Sequence, residues 1–104
     1  SFSFDNTDVM NKIFQVEKFS VISENTFSLV GRMIAGDIIH KGEVFNLIKI
    51  DNNTLVEVNF TLKQIEMYGR SIDFIDLGCT GVLFLEGEYP NTQIKELIIA
   101  AQII

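Results

Sequence analysis

Much of the chain alternates between apolar and polar residues over short stretches, which is the pattern of half-buried β-strands. Phe14, Val16, Phe19 and Val21 interleave with Gln15 and other polar neighbours at about a two-residue period. Similar alternation returns three times further along, and one later run is wholly apolar. We therefore predict strands in five segments, which are 13–21, 27–32, 44–50, 55–68 and 82–85.

Glycine and small polar residues separate these segments every eight to twelve residues, as in barrels and sandwiches. Turns are predicted at 24–25, 35–37, 42–43, 51–53, 69–70 and 90–91, and a loop at 71–78. Glycines at the turns and bends supply the backbone freedom that barrel corners need. The interior of a barrel would be filled by Phe14, Val16, Val21, Leu29, Leu47, Val58, Phe60, Leu83 and Leu85.

The two ends of the chain are harder to interpret. Residues 1–12 form a polar lead-in with Phe2 and Phe4 two positions apart, which predicts an arm or an extra strand before a single domain at 13–104. In the last stretch, Ile94, Leu97 and Ile98 have helical spacing, yet 97–99 is also an unbroken apolar run. We favour a strand there.

Composition narrows the class of protein. The chain has 104 residues with 47% hydrophobic and 21% charged side chains, enough for one compact domain with its own core. A single Cys cannot form an intrachain disulfide, and no apolar run is long enough to span a membrane. No basic segment followed by an apolar stretch, the pattern of a secretory signal, opens the sequence. We therefore expect a cytoplasmic protein that does not enter a membrane.

The net charge and its distribution along the chain indicate which class of partner to expect. Eight Lys and Arg against fourteen Asp and Glu give a net charge of −6, and the cations are scattered rather than clustered. Nucleic-acid binders usually present a clustered basic face, so this distribution disfavours RNA. A basic protein would instead be attracted.

The order of five segments resembles the second domain of elongation factor Tu and related translational GTPases. The segments are 14–21, 27–32 ending in Val30-Gly31-Arg32, 36–43, 58–67 with Ile65-Glu66-Met67, and 78–87. Together they cover roughly residues 13–101. The resemblance implies an all-β fold, a small closed or nearly closed antiparallel β-barrel of that type.

The resemblance also implies a site. In that family this domain helps to hold the aminoacylated end of tRNA, and Glu66 matches the Glu that lines the pocket for the terminal adenine. The family places a basic residue three positions later, where this chain has Gly69, followed by Arg70. A pocket around Glu66, Tyr68 and Arg70 that contacts tRNA acceptor ends is therefore one alternative. No phosphate-binding Gly-x-x-x-x-Gly-Lys-Ser/Thr string occurs, so GTP hydrolysis is not expected.

Residues capable of catalysis are few. His40 is the only histidine and sits in a predicted turn, where a solvated side chain is the simpler interpretation. Cys79 could act as a nucleophile with His40 as its base, but its position before an apolar strand favours packing. We expect no enzyme activity, no cofactor and no metal site.

The carboxylate pairs are candidates for partner binding. Asp73 with Asp76, and Glu86 with Glu88, fall in or near predicted loops, where they would be solvated or form part of a protein-docking face. Our first hypothesis is a non-enzymatic barrel that binds a protein, for example an inhibitor or immunity-type protein covering a basic toxin. An isolated structural domain of a larger protein is a further alternative, because the mostly apolar tail 100–104 would pack on a missing domain. The same tail is equally explained by a last barrel strand or by a homodimer contact.

Overall fold

Strands are the only regular secondary structure in the described part of the chain. A computed structural model describes residues 11–100, and none of its segments is a helix that could cross a membrane. The strands are β1 (Lys12–Ser23), β2 (Thr26–Ala35), β3 (Ile39–His40), β4 (Val44–Asp51), β5 (Thr54–Met67), β6 (Arg70–Ile72), β7 (Phe74–Ile75), β8 (Thr80–Glu86) and β9 (Glu96–Ile99).

Six of these strands form a closed antiparallel barrel. Their order around the wall is β4-β9-β1-β2-β8-β5, and β5 pairs with β4 to complete the ring. Strand β6 extends from β5 as a short hairpin, and β3 pairs with β7 in a separate two-stranded sheet. The predicted all-β class and small closed antiparallel barrel are confirmed.

The ring closes because β5 pairs with two different strands, one along each half of its length. Its first half pairs with β4 and its second half pairs with β8. Thr61 lies at the exchange, opposite Val44 on β4 and Glu86 on β8. A 14-residue strand is long enough to serve both partners, and bending it between them turns a flat sheet into a barrel.

The interior is wholly apolar among the described residues, since none of the buried side chains is polar or charged. Phe27 is at the centre of an aromatic cluster at one end of the barrel. Its ring centroid lies 4.9 Å from that of Phe60, 5.4 Å from that of Phe19 and 5.2 Å from that of Tyr89. Tyr89 belongs to the connection from β8 to β9, so this connection covers the end of the core that the strands leave open.

The predicted core list is correct for most members and wrong for two, Leu47 and Val21. Phe14, Leu29, Phe60, Leu83 and Leu85 are fully buried, whereas Val16, Leu47 and Val58 are half-buried. The side chain of Val21 is 56% exposed although it lies opposite the buried Phe27, because β9 pairs with β1 only as far as Gln15 and no other described strand adjoins β1 at Val21.

On β4 the inward positions are Phe45 and Ile48 instead of Leu47. The pairing with β5 shifts register between Phe45 and Leu47, and such a bulge changes which residues face the core. An inward set assigned by strict alternation is therefore wrong at this point.

The remaining predicted elements agree with the observed strands only in part. The prediction of a strand near the end is confirmed by β9, but 71–78 is not a plain loop, since it contains most of β6 and all of β7. The turn predicted at 69–70 is one residue earlier, at 68–69, and Arg70 begins β6. The predicted arm with Phe2 and Phe4 lies outside the described residues; of the 1–12 range only Asn11 and Lys12 are described, and Lys12 begins β1.

Close approach of β1 and β2 requires a glycine at position 31. Gly31 is buried in β2 opposite Val16, and a Cβ atom there would overlap the Gln15 carbonyl oxygen and lie 2.7 Å from Phe14 Cε2. Phe14 is a fully buried core residue that cannot move aside without disturbing its neighbours.

We expect Gly31→Ala to destabilise the barrel by about 3 kcal/mol, because overpacking forces backbone and core side chains to shift. Gly42→Ala is the comparison: Gly42 has a positive φ of 99° but an empty space around it, so strain alone should cost about 1 kcal/mol. Urea denaturation of both variants measures the difference. Because Gly31 does not have a positive φ, a loss no larger than that of Gly42→Ala would show that β1 and Phe14 move aside at little cost and that the close approach does not require glycine.

Candidate functional site

One segment outside the barrel wall carries most of the candidate site residues. It runs from residue 68 to residue 78 and includes β6 and β7. Nine of its eleven residues are exposed, while Ile75 is fully buried and Ile72 is half-buried against the core. These two isoleucines anchor the segment and leave the other side chains directed to solvent.

Backbone hydrogen bonds hold this segment in place. Gly78 N donates to Met33 O at 2.8 Å, and Lys41 N donates to Asp73 O at 2.9 Å. Cys79 N donates to Asp76 O at 3.1 Å, which closes the turn before β8. A surface fixed at both ends loses little conformational entropy when a partner binds.

Three exposed apolar side chains lie on or beside this segment. Phe74 is 48% exposed, Leu77 is 55% exposed, and Ile34 at the end of β2 is 41% exposed. Leu77 and Ile34 line the same shallow groove of about 300 Å³, together with Arg32. We call Ile34, Asp73, Phe74, Asp76 and Leu77 the β7 surface.

Two carboxylates flank the apolar residues of the β7 surface. The side chain of Asp73 is 87% exposed, and its Oδ1 lies 3.7 Å from Lys41 Nζ, a distance at which an exposed ion pair adds little stability. Asp76 is also exposed, and its Oδ1 accepts a hydrogen bond of 2.7 Å from Leu77 N. Both carboxylates therefore remain able to accept hydrogen bonds from a partner.

Tyr68 stands at the tip of the β5–β6 hairpin in a strained conformation. Met67 pairs with Arg70, so Tyr68 and Gly69 form a two-residue turn with φ of 54° and 75°. This is the type I′ geometry, which favours Asn-Gly, and an aromatic residue in the left-handed region is unusual. Its side chain is 96% exposed, so packing does not explain the choice of tyrosine.

The resemblance-based pocket residues share this hairpin. Glu66 is half-buried on β5, where its Oε2 accepts a hydrogen bond of 2.8 Å from Gln64 Nε2. Tyr68 follows at the tip, and Arg70 is exposed at the start of β6. The structure thus brings Glu66, Tyr68 and Arg70 onto one hairpin.

The two acidic pairs do not share a surface. Asp73 and Asp76 precede β8, whereas Glu86 is the last residue of β8 and Glu88 follows it. A seven-residue strand spans about 20 Å, so the pairs lie at opposite ends of the barrel. Glu88 borders an open groove that also includes Glu57 and Asn59.

His40 and Cys79 each have a local structural role. His40 is in β3 and not in a turn, and its Nδ1 lies 3.3 Å from Glu43 Oε2, while its ring is 6.2 Å from that of Phe74. Cys79 is half-buried and packs against the core. Within residues 11–100, no three His, Cys, Asp or Glu side chains are arranged to hold a metal ion.

Glu43 links β1 to the turn before β4. Its Oε1 lies 2.8 Å from Lys12 Nζ, and its Oε2 accepts a hydrogen bond of 2.6 Å from His40 N. Partial burial opposes ionisation, but these hydrogen bonds and the Lys12 charge outweigh it, so the pKa of Glu43 is lowered. The pKa of Asp51 is lowered too, chiefly because its carboxylate accepts a hydrogen bond from Asn53 N.

Ile34, Phe74 and Leu77 did not figure among the predicted site residues. The string Asp73-Phe74-Ile75-Asp76-Leu77 gives a signal for two of them, since three apolar residues occur beside two aspartates inside a predicted loop. Nothing in the sequence marks Ile34, whose exposure follows from the inward position of its neighbour Met33.

Comparison with models of known protein families and with curated proteins finds no match to this chain.

If strain at the hairpin tip is retained for a purpose other than folding, removing it should stabilise the protein. We expect Tyr68→Asn to raise the free energy of unfolding by about 1 kcal/mol, because Asn tolerates the left-handed conformation and the exposed ring contributes little packing. Urea denaturation measures the change, with Tyr89→Asn in the aromatic cluster as a destabilising comparison. A loss of stability in Tyr68→Asn would mean that the ring supports the fold.

The lowered pKa of Glu43 predicts a pH dependence of stability. A carboxyl whose pKa is lower in the folded state stabilises the fold above its unfolded pKa, and this contribution disappears as pH falls through the folded value. Between about pH 5 and about pH 3, wild type should therefore lose more stability than Glu43→Gln. Thermal denaturation across this range tests the expectation, with Glu57→Gln at an exposed site of β5 as the control. Parallel curves for wild type and Glu43→Gln would contradict it.

Proposed function

We propose that this barrel is a non-enzymatic protein-binding module and that the β7 surface is its contact site. The observation that carries the proposal is the exposure of Phe74 and Leu77 on a segment that backbone hydrogen bonds hold in place, with the exposed Ile34 of β2 beside it. Apolar groups surrounded by charged groups, on a pre-ordered backbone, are typical of protein interfaces.

The charges indicate the kind of partner. Asp73 and Asp76 flank the apolar residues, and the chain as a whole carries a net charge of −6. A partner with Lys or Arg around an apolar centre would be attracted at long range and would pair with these carboxylates on contact. An inhibitor or immunity-type protein that covers a basic toxin is one role with this chemistry.

Two observations favour binding over catalysis. The His40 ring is held near Glu43 and Phe74, and the Cys79 side chain packs against the core. Neither residue has a local arrangement that supports a nucleophile activated by a base. The grooves near the β7 surface are shallow and open to solvent, so they offer little desolvation to a small substrate.

We further propose that the barrel is related to the second domain of elongation factor Tu. A closed six-stranded antiparallel barrel is compatible with that relation, and the five resembling segments occur in the expected order. Under this proposal a second function is contact with tRNA acceptor ends. It is favoured by the fully exposed Tyr68 ring, which is available for base stacking beside Arg70 and Glu66.

The opposite placement of the two acidic pairs provides a matched test. Asp73→Lys/Asp76→Lys and Glu86→Lys/Glu88→Lys change net charge equally, at different ends of β8. Tagged wild type and both variants are used to capture partners from source-cell lysate, with and without ribonuclease. We expect a stoichiometric protein partner that resists ribonuclease, binds the Glu86/Glu88 variant, and loses at least about tenfold in affinity for the Asp73/Asp76 variant.

Each other outcome contradicts a stated part of the proposal. Equal losses in both variants would mean that net charge, and not the β7 surface, governs binding. Loss only in the Glu86/Glu88 variant would move the contact to the other end of the barrel. A complex that disappears with ribonuclease and weakens in Tyr68→Ala would support the RNA-binding alternative.

A further inference from the structure

Tyr68 combines a strained backbone with a side chain that does not pack on the fold. Within residues 11–100 it is the only non-glycine residue with a positive φ, and its side chain is 96% exposed. Among these described residues, no ring stacks on it and no side chain shares a hydrogen bond with its hydroxyl. Tyr89 instead packs its ring 5.2 Å from that of Phe27. A strained conformation without a gain in packing indicates a role outside the folded chain.

The hairpin that carries Tyr68 is well ordered. Three residue pairs join β5 to β6, and the last of them, Met67 with Arg70, closes the turn. Ile65 at the base of the hairpin is fully buried, and Met67 packs against the core. The backbone under the ring is therefore fixed before a partner arrives. A tyrosine side chain has only two χ angles to immobilise, so its burial by a partner costs little conformational entropy.

Tyr68 is close enough to the β7 surface to share one contact area with it. Asp73 is five positions further along the chain, so the Cα atoms of the two residues are at most about 18 Å apart. A typical protein interface covers about 800 Å² on each partner, which is a patch roughly 30 Å across. One partner can therefore cover the β7 surface and the tip of the hairpin together.

We propose that Tyr68 is the anchor of the protein-binding site and that its ring enters an apolar pocket of the partner bordered by Lys or Arg. This inference rests on the proposed function and adds to it the shape of the partner. An exposed ring contributes to affinity only when the partner removes it from water, which a pocket does best. Tyrosine is also enriched among the residues that dominate the binding energy of interfaces.

The charges near Tyr68 indicate what borders this pocket. Asp73 and Asp76 are exposed on the same segment, and the whole chain has a net charge of −6. A cation over the face of a tyrosine is attracted by the ring, and the same Lys or Arg side chains are attracted by the two carboxylates. We therefore expect a partner with a cleft that is apolar inside and basic at its rim. Clefts with a basic rim attract anionic substrates, and an inserted hairpin blocks their entry.

A nucleic acid suits the same ring less well. A base can stack on Tyr68, but the neighbouring phosphates would then approach Asp73 and Asp76, whose carboxylates repel them. A protein pocket with a basic rim has the opposite charge relation to these carboxylates. The charges therefore favour a protein, and treatment with ribonuclease distinguishes the two partners.

An anchor in a strained turn predicts opposite changes in stability and in binding. The probe is the ribonuclease-resistant protein that wild type retains from lysate and that requires Asp73 and Asp76, purified for calorimetric titration. Tyr68→Asn relieves the strain, so the midpoint of urea denaturation should rise. It also removes the ring, so the Kd for the probe should rise at least about thirtyfold, as for a hot-spot residue. A residue that only supports the fold cannot produce both changes.

Two further variants separate the ring from other effects. Tyr68→Phe keeps the ring and the strained backbone, so it should lose no more than about tenfold in affinity, the contribution of one neutral hydrogen bond. Leu55→Asn removes an exposed apolar side chain at the opposite end of β5 and should bind the probe like wild type.

The contrary results show which inference fails. If wild type retains no protein that depends on Asp73 and Asp76, the proposed function fails and the anchor fails with it. If that protein binds Tyr68→Asn as tightly as wild type, the β7 surface stands and the anchor is overturned. An equal loss in Tyr68→Phe would overturn insertion of the ring into an apolar pocket. A complex that weakens in Tyr68→Asn but disappears with ribonuclease would assign the ring to RNA and overturn the protein pocket.

Discussion

The exchange of neighbours along β5 is the constraint on which the rest of the structure depends. At Thr61 the strand leaves β4 and takes up β8, and this single change closes six strands into a ring. If β5 kept only one of these partners, β5 and either β4 or β8 would be open edges, and the apolar interior would be uncovered along that gap. The end of β5 then continues into the β6 hairpin, so barrel closure also fixes where the 68–78 segment leaves the wall.

Two exposed regions of the chain lie where residues are not enclosed by neighbouring strands of the ring: the 68–78 segment and the second half of β1. Residues 68–78 are not needed for the ring, so all but the two anchoring isoleucines face solvent. The second half of β1 has only β2 as a described neighbour, because β9 is four residues long and ends its pairing with β1 at Gln15. Stability therefore comes from the apolar interior of the ring, whereas the proposed contact site lies on a segment outside it.

The sequence predicts the fold better than it predicts the surface. Strand periodicity and turn residues identify most strands correctly, because a closed barrel requires alternating inward and outward positions. The errors occur where register shifts interrupt this alternation, as at Leu47, or where a strand lacks one of its neighbours, as at Val21. Of the candidate site, the aspartates near β7 can be identified from sequence, but the exposure of Ile34 depends on pairing that only the three-dimensional structure reveals.

The position of β9 in the wall has a consequence for synthesis on the ribosome. Lys12 near the start of β1 pairs with Ile99, so the wall between β4 and β1 cannot form until more than eighty further residues have been translated. Until then, β1 and β4 each lack a neighbour that they have in the native state, and long-range strand pairing of this kind is slow. The nascent chain would thus display two unsatisfied strands at once, and the cell has reason to shield it until the last strand emerges.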